Sequence, residues 1–516
     1  LSFDVGGPVK TPADGGKLFY RLVGQVQNGG TQVDFTPNNN YFIAPSVTYK
    51  PDADTSFTVL ASASKNDTRG IAFLPYVGTV VDAPFGRIPT SRFVGDPSVD
   101  TFRREQEMIG YQFERNLSDS ITFRQNARFA HVDVTYATLY GLGYATTPAA
   151  ANLARGNFLV HDIANQADLD NQFEYRFATG PLQHTALFGV DLKHYSIDDY
   201  QGFGAAGSIN LVNPVYTPTA PFSGAPYQNA TLTQKQAGVY AQDQIKLDRF
   251  TLVLSGRNDW VNTYNDNHIG ASLGRDDSHF SGRAGLIYNF DFGLAPYVSY
   301  ATSYNPIVGT NFALNQLFAP ETGQQTEVGV KFQPAGFDGH FGAALFDLKR
   351  QNVPTTDPNN VLLSIQTGEV TSRGIELEAV ANVMPGLKLL ASYTRYDLFV
   401  SRDLDPTLIG KVPTNTPREL SSAWADYTFQ SGVLAGLGFG GGVRYVGDSF
   451  ADTANTLAVP SYLLGDAALH YEWQNWRLAL NVSNVSDKTY VGSCSSPSAC
   501  FYGDRRRITA SIAYKW

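Results

Sequence analysis

Apolar and polar residues alternate over many short stretches of this chain, which is the period of a β-strand. The clearest case is the final stretch, residues 506–516, where every second residue is apolar: Ile508, Ala510, Ile512, Tyr514 and Trp516. The opposite face of this stretch is mostly small or polar. A strand of bilayer-spanning length that ends on an aromatic residue is typical of an outer-membrane β-barrel, whose apolar face meets lipid and whose polar face meets the lumen.

The same period recurs inside the chain, with a second face that is too polar for a soluble core. Between residues 121 and 130 this face carries Thr122, Arg124, Asn126 and Arg128. An unpaired buried charge is costly, so such side chains need water or another protein segment as a partner. The pattern therefore predicts strands that line a water-filled or plugged lumen.

Short polar turns alternate with long polar or glycine-rich connections along the chain. Asp248-Arg249 is one of the predicted turns, whereas residues 133–167 and 195–232 are among the predicted long loops. Transmembrane barrels have short turns at the periplasmic rim and long loops at the extracellular rim. The chain is therefore predicted to be all-β, a transmembrane antiparallel β-barrel.

The number of strands follows from counting the alternating stretches. We expect about twenty full strands from residue 17 onward, and residues 1–5 look like the end of one more. An antiparallel bacterial barrel closes with an even number of strands, so this short segment predicts a barrel of about 22 strands whose first strand is absent from the chain. The alternative is a closed barrel of about twenty strands with a loose N-terminus. Residues 1–516 are predicted to form one domain.

Composition agrees with a single β-rich architecture and excludes several functions. The 28 Tyr, 33 Phe and 48 Gly residues favour strands and tight turns. The formal net charge of -9 and the absence of basic clusters argue against nucleic acid as a partner. No apolar run approaches the ~18 residues of a transmembrane helix. The eight His residues lack the spacing of metal ligands, so no metal site is predicted.

Cys494 and Cys500 are the two cysteines of the sequence. In an oxidising compartment such a close pair predicts a disulfide that closes a short loop. A metal site would need a second pair of ligands or a nearby histidine, which the sequence does not supply there.

Two short motifs resemble parts of enzymes, but their context does not fit. Gly436, Gly438 and Gly441 have the spacing of a nucleotide-binding loop, yet the pattern around them predicts a strand without a following helix. Residues 447–450 look like a serine-esterase block, but the sequence nominates no base for the serine. We therefore predict no enzymatic activity and no cofactor.

Several segments resemble the recurring barrel motifs of TonB-dependent siderophore receptors. They are residues 236–244, 256–260, 326–332, 372–378, 442–447 and 459–462. The loop between Cys494 and Cys500, followed by Phe501-Tyr502-Gly503 and a final strand, is similar to the ferrichrome-type (hydroxamate) receptors. The motifs keep the family's order over essentially the whole chain.

The resemblance implies a receptor of the bacterial outer membrane that imports a ferric siderophore and is energised through TonB. Members of this family have a barrel of about 22 strands that is filled by an N-terminal plug. The resemblance therefore implies that the plug and the first barrel strand are missing from this chain. The partners it implies are a ferric siderophore, TonB and outer-membrane lipid, including lipopolysaccharide. We also expect a monomer.

The resemblance also suggests which side chains bind the ligand. Phe73 and Tyr140 match aromatic residues that contact ligand in the ferrichrome-type receptors, and Phe203, Tyr216 and Tyr304 are further candidates from long loops or strand ends. Aromatic rings supply a large contact area for the apolar rim of an iron chelate. For each of these residues the alternative is packing within a loop or in the interface girdle.

Ile71, Leu142 and Ser495 depart from the ferrichrome-type pattern, which has aromatic residues at these positions. Two other functions therefore stay open. One is TonB-dependent uptake of another metal chelate or of a cobalamin-like cofactor. The other is a passive outer-membrane pore, against which a plug and a TonB box upstream of residue 1 would argue.

Overall fold

The computed structural model describes residues 1–9, 16–70, 73–311, 315–357, 360–366, 368–403 and 405–516. Within these ranges, 21 strands form one sheet in which each strand pairs with its neighbours along the chain in antiparallel order. Eight shorter strands form two-stranded hairpins in the connections. No helix in the described residues is long and apolar enough to cross a membrane.

All strands are numbered in chain order. The strands of the large sheet are β1 Ser2–Val9, β2 Lys17–Gln27, β3 Asn39–Lys50, β4 Thr55–Thr68, β5 Thr101–Ser118, β6 Ile121–Tyr144, β7 Asn152–Thr179, β8 Leu182–Asn210, β9 Gln228–Leu247, β10 Phe250–Asn267, β11 Leu273–Tyr288, β12 Leu294–Asn305, β15 Glu321–Phe332, β16 Gly339–Gln351, β19 Glu369–Met384, β20 Leu387–Arg402, β21 Glu419–Thr428, β22 Leu437–Val446, β25 Tyr462–Trp473, β26 Trp476–Ser483 and β29 Arg507–Tyr514. The hairpins are β13 Thr310–Asn311 with β14 Gln316–Leu317, β17 Pro354–Asp357 with β18 Asn360–Gln366, β23 Ser449–Phe450 with β24 Ala458–Val459, and β27 Val491–Ser496 with β28 Ala499–Tyr502. Two short 3-10 helices, Pro148–Ala150 and Pro406–Leu408, lie in other connections.

The predicted strands are all present, and the short first segment is longer than expected. Strand β1 pairs with β2 over its whole length, from Ser2 opposite Gln25 to Val9 opposite Leu18. The alternative of a closed barrel with a loose N-terminus is therefore wrong. At the other end of the sheet, β29 pairs with β26 as predicted. Among the described residues no hydrogen-bonded ladder joins β29 to β1.

The outer face of the sheet is apolar, as the two-residue period predicts. On β29 and beyond it, Ile512 is 71% and Trp516 is 74% exposed, as expected for side chains that meet lipid. On β10 the outward side chains run from Phe250 through Leu254 to Trp260, and all three are exposed. Ten residues of a tilted strand rise by about 25 Å, the height of a barrel's apolar band. Phe250 and Trp260 thus mark its two boundaries.

Charged side chains of β5, β6 and β7 pair with one another on the inner face. Arg124 donates to Glu114 on β5 at 2.7 Å and to Glu174 on β7 at 2.8 Å, and Arg128 pairs with Asp168 at 2.8 Å. The sequence predicted water or a plug as the partner of these arginines. The structure shows carboxylates on the neighbouring strands instead, because residues opposite each other in a sheet lie within reach of long side chains.

The predicted long loops after β6 and β8 are in large part strands. Strands β6 and β8 continue to Tyr144 and Asn210, whereas β7 and β9 begin at Asn152 and Gln228. The loops expected at residues 133–167 and 195–232 are therefore only the connections 145–151 and 211–227, which begin later and end earlier than predicted. A strand needs only about 9–11 residues to cross the membrane. These strands therefore continue far beyond the outer boundary and form a tall wall at one side of the extracellular mouth. In their upper parts polar residues and glycines are mixed with the apolar ones, which is why the pattern indicated loops.

Candidate functional site

The connection between β4 and β5 folds over the extracellular mouth, and we call residues 73–100 the cap. Its apolar side chains pack with residues from the ends of β7 and β8 into one small core. Every member of that core is at most 4% exposed: Leu74, Ile88, Val94, Leu153, Ile209 and Leu211. The extracellular mouth thus has a hydrophobic core of its own above the membrane.

A buried arginine fixes the cap to the tall wall. Arg155 on β7 is 7% exposed and donates through Nε to the carbonyl of Gly207 at 2.7 Å. Its Nη1 donates to the carbonyls of Val94 and Gly95 in the cap, each at 3.0 Å. Hydrogen bonds from a charged donor are stronger than neutral ones, so one side chain ties three backbone segments together.

Asp100 fixes the other end of the cap. Its buried carboxylate accepts hydrogen bonds from the backbone N–H groups of Asp96 and Leu139, each at 3.0 Å, and from the Thr138 hydroxyl at 2.8 Å. Burial raises the pKa of the Asp100 carboxyl above its ordinary value, and these hydrogen bonds act in the opposite direction. Asp100 therefore holds the cap against β6.

The predicted disulfide between Cys494 and Cys500 is present and closes the hairpin of β27 and β28. Cys500 exchanges two backbone hydrogen bonds with Leu74 of the cap, at 2.8 and 3.2 Å. The hydroxyl of Tyr502 donates to the carbonyl of Ile88 at 2.8 Å, also in the cap. The hairpin before the last strand is thus joined to the cap.

Aromatic side chains from these segments form one cluster, which we call the mouth cluster. Tyr140 lies at its centre, with ring centroids 5.4 Å from Phe73, 5.9 Å from Phe158 and 6.1 Å from Phe203. Phe73 also contacts Phe501 of the hairpin at 5.5 Å. The cluster therefore combines the cap, the wall of β6 to β8 and the C-terminal hairpin.

The members of the mouth cluster differ in exposure. Tyr140 is 2% exposed, whereas Phe203 is 40% exposed, and Phe73 and Phe501 are half-buried. The Tyr140 hydroxyl has no hydrogen-bond partner within the described part of the chain. A Cβ atom at Gly156 would collide with the Phe203 ring, so glycine gives that ring its room. The rings that a ligand can reach are thus supported from beneath by Tyr140.

Two predicted ligand residues lie outside the mouth cluster. Tyr216 packs against Phe35 and Phe93, with ring centroids 5.1 and 6.1 Å apart, and donates its hydroxyl to the Phe93 carbonyl at 2.9 Å. Tyr304 at the end of β12 stacks on His279 at 4.9 Å. Tyr216 therefore packs on the cap, and Tyr304 belongs to a different part of the rim.

Sequence reasoning missed Phe158 and Phe501 as members of the cluster. Phe501 belongs to the Phe-Tyr-Gly motif, and the resemblance of this motif to the siderophore receptors could have pointed to it. The sequence around Phe158 does not distinguish it from other strand residues.

Three positions depart from the ferrichrome-type pattern. Leu142 is 43% exposed, Ser495 lies in β27, and Ile71 is outside the described residues. No group of three or more potential metal ligands occurs in the ranges that the structure covers.

Comparison with protein families and characterised proteins agrees with this architecture. Residues 47–485 match the family model described as "TonB dependent receptor-like, beta-barrel". The ferrichrome outer membrane transporter/phage receptor of Escherichia coli K12 is 35% identical over 98% of this chain and 71% of its own length. The ferrioxamine B receptor of Salmonella typhimurium SL1344 is 34% identical over 99% of this chain and 73% of its own length.

Solved structures show the same fold. The siderophore receptor PiuA from Acinetobacter baumannii superposes with a TM-score of 0.86 at 21% identity, covering 100% of this chain and 79% of that one. The ferric-catecholate import receptor Fiu from Escherichia coli K12, in its closed form, gives a TM-score of 0.81 at 20% identity, with 99% of this chain and 80% of that one covered. At these identities the likeness concerns the fold alone.

Proposed function

The chain belongs to the TonB-dependent receptors of the bacterial outer membrane, and from this premise we propose that it imports a ferric hydroxamate siderophore. The observation that carries the proposal is the mouth cluster, whose reachable rings face the extracellular side. Two relatives that match the chain along almost its whole length are named for ferrichrome and ferrioxamine B. Both ligands are hydroxamate chelates of iron.

In this proposal Phe73, Phe203 and Phe501 contact the apolar rim of the chelate. Aromatic rings are suited to this because they bury a large area and lose little side-chain entropy. Tyr140 acts beneath them as the ring that sets their spacing. The chelate then passes through the lumen, and TonB supplies the energy. The family uses a plug for this coupling, and this chain is similar to the family's barrel.

Outer-membrane lipid, including lipopolysaccharide, is a proposed partner of the outer wall. Where the apolar band ends on β8 to β11, a hollow is lined by Trp260, His194, Lys235 and Asp276. An interfacial Trp with a neighbouring lysine fits the headgroup level of the outer leaflet. We propose the monomer as the functional form.

A binding experiment with the full-length receptor tests the ligand class. We expect ferrichrome and ferric desferrioxamine B to bind, and a ferric tris-catecholate to bind far more weakly. Phe73→Ala and Phe203→Ala should each weaken hydroxamate binding about tenfold, the size expected when a central aromatic contact is lost. Phe292→Ala is the matched control, because this exposed aromatic residue lies in the short turn between β11 and β12, at the opposite rim from the mouth cluster.

The alternatives make different predictions in the same experiment. Tight binding of the catecholate without hydroxamate binding would overturn the hydroxamate assignment and favour another metal chelate. A receptor for a cobalamin-like cofactor would bind that cofactor and neither iron chelate. A passive pore would bind none of them, and transport through it would not depend on TonB.

A further inference from the structure

The two end strands of the large sheet are linked at the extracellular rim by side chains. Strand β1 pairs with β2, and β29 pairs with β26, while no ladder between β1 and β29 exists in the described residues. The connection between β2 and β3, residues 28–38, nevertheless reaches the chain segment just before β29. We call residues 28–38 the rim loop.

Gln32 of the rim loop makes two hydrogen bonds to the backbone ahead of β29. Its Nε2 donates to the carbonyl of Gly503 at 3.2 Å, and its Oε1 accepts from the N–H of Arg505 at 2.8 Å. A glutamine amide carries one donor group and one acceptor, so it pairs with a backbone segment as a neighbouring strand would. The side chain thus takes the place of a strand partner at this point.

The rim loop is itself held in a defined position. The N–H of Asp34 donates to the carbonyl of Ser91 in the cap at 2.9 Å. The ring of Phe35 contacts Phe93 at 5.9 Å and Tyr216 at 5.1 Å. Phe35 has a φ of 59°, a left-handed conformation that is unfavourable for a bulky residue. A strained residue persists only where its surroundings fix it, so the loop is docked rather than free.

Gly503 is two residues from Phe501, which belongs to the mouth cluster. The residues before Gly503 are fixed by the cap, through Cys500 to Leu74 and through Tyr502 to Ile88. The segment that follows Phe501 is held by Tyr490, Asn484 and Asp487 from its own end of the sheet, and by Gln32 from the opposite end. The Phe501 backbone is therefore held on both sides.

We propose that Gln32 is a positioning residue for ligand binding, which holds Phe501 against Phe73 from across the rim. The proposal rests on the proposed function of the mouth cluster. Gln32 itself is separate from the cluster and acts through the backbone of residues 503–505. Its loss leaves the strand pairing of the barrel intact and removes the contact of the rim loop with the segment after Phe501, while the contacts of Tyr490, Asn484 and Asp487 remain.

The test compares variants of the full-length receptor for affinity and for local order. Gln32→Ala should weaken the binding of ferric desferrioxamine B about five- to tenfold and speed hydrogen exchange of the amides at residues 501–505. Gln32→Glu keeps the acceptor for Arg505 but loses the donor to Gly503, so its effect should be intermediate. Gln430→Ala is the matched control, because Gln430 lies in the connection between β21 and β22 and its side chain donates to its own chain segment, at the carbonyl of Thr428.

A double-mutant cycle separates positioning from a general structural role. In a Phe501→Ala background, Gln32→Ala should have no further effect on affinity, because the side chain that it positions is gone. An equal loss of affinity in both backgrounds would overturn the proposal, as would unchanged exchange at residues 501–505 in Gln32→Ala. If the wild type binds no ferric hydroxamate, the proposed function fails, and the exchange measurement alone decides whether Gln32 orders this segment.

Discussion

The barrel wall and the extracellular mouth of this receptor are held together by different kinds of contact. In the wall, each strand pairs with the next along the chain, and alternate side chains face lipid or lumen. In the mouth, single side chains join segments far apart in sequence, as Gln32 does with Gly503, 471 residues away. The wall therefore depends on a repeated pattern, whereas the mouth depends on individual residues.

The two regions should therefore respond differently to substitution. A wall residue should tolerate substitutions that keep the polarity of its side chain, because the strands are paired by backbone hydrogen bonds. A mouth residue such as Arg155 or Asp100 serves several backbone groups at once. Its removal leaves those groups without partners in a site that water reaches poorly. Three substitutions and one change of pH test this difference between wall and mouth, and they follow in order of decreasing expected effect.

Tyr140→Ala is expected to be the most damaging single change in the mouth. Removing a buried aromatic ring at the centre of the cluster leaves a cavity and should destabilise the mouth by about 3–5 kcal/mol. Tyr140→Phe is the control, and it should be neutral or slightly stabilising because the hydroxyl it removes has no partner in the described residues. Hydrogen exchange of the cap amides measures both. A Tyr140→Phe variant as damaged as Tyr140→Ala would show that the hydroxyl, and not the ring, matters.

Leu254→Arg tests the rule for the wall. Leu254 lies near the middle of the outward apolar face of β10, where an arginine should cost about 2–4 kcal/mol. Val253→Arg places the same side chain on the preceding residue, which faces the lumen opposite the uncharged Gly285 and Gln244, and should have little effect. Urea unfolding of the folded barrel in lipid vesicles measures the difference. Equal destabilisation by the two variants would contradict the assignment of the two faces.

Asp100→Ala removes an acceptor that serves three donors of the cap and β6. The backbone N–H groups of Asp96 and Leu139 lose their partner, so the cap should be destabilised by about 2–3 kcal/mol while the wall keeps its stability. Asp100→Asn retains one acceptor oxygen and should cost less. Protease sensitivity of the cap, compared with that of the barrel strands, reports the effect. Loss of the whole barrel in Asp100→Ala would show that the cap and the wall are not independent.

A weaker effect is expected from acid at the base of the C-terminal hairpin. The hydrogen bond from Arg505, with help from the backbone N–H of Arg506, lowers the pKa of Asp487 from 3.8 to about 2. The stabilisation by this carboxylate is therefore complete above pH 3.8 and is lost as the pH falls through about 2. Hydrogen exchange at residues 485–506 should be unchanged between pH 7 and pH 5, after correction for the intrinsic rate.

Asp487→Asn is the control for this pH dependence. The variant should show the looser hairpin base already at neutral pH, and acid should change it little further. A transition of the wild type centred near pH 6 would contradict the assignment, because it would point to a histidine.

Most of the wall could be predicted from the sequence, because the two-residue period is a local property. The period placed the strands and the faces of β6 and β29, and the cysteine spacing predicted the disulfide of Cys494 and Cys500. The prediction of long loops at residues 133–167 and 195–232 was wrong outside the connections 145–151 and 211–227, because the strands continue above the membrane. There polar residues and glycines interrupt the apolar positions, so the regular alternation of the membrane-spanning part is lost although the backbone pairing persists.

The candidate site was predictable only in part. Family likeness pointed to Phe73 and Tyr140, and the structure places both in one cluster with Phe203. Their roles as ligand contacts stay predictions. Phe158 carried no local signal, because a phenylalanine in a strand looks the same whether its ring meets lipid, a loop or a ligand.

The membrane-spanning β-sheet could be predicted from the sequence alone. One face of each strand meets lipid and the other meets a polar lumen, so successive residues must alternate in polarity. The mouth, where the cap, the rim loop and the C-terminal hairpin meet, could be seen only in three dimensions. Contacts such as those of Gln32 and Arg155 join segments whose distance along the chain carries no pattern. They exist only once the barrel has brought those segments to the same rim.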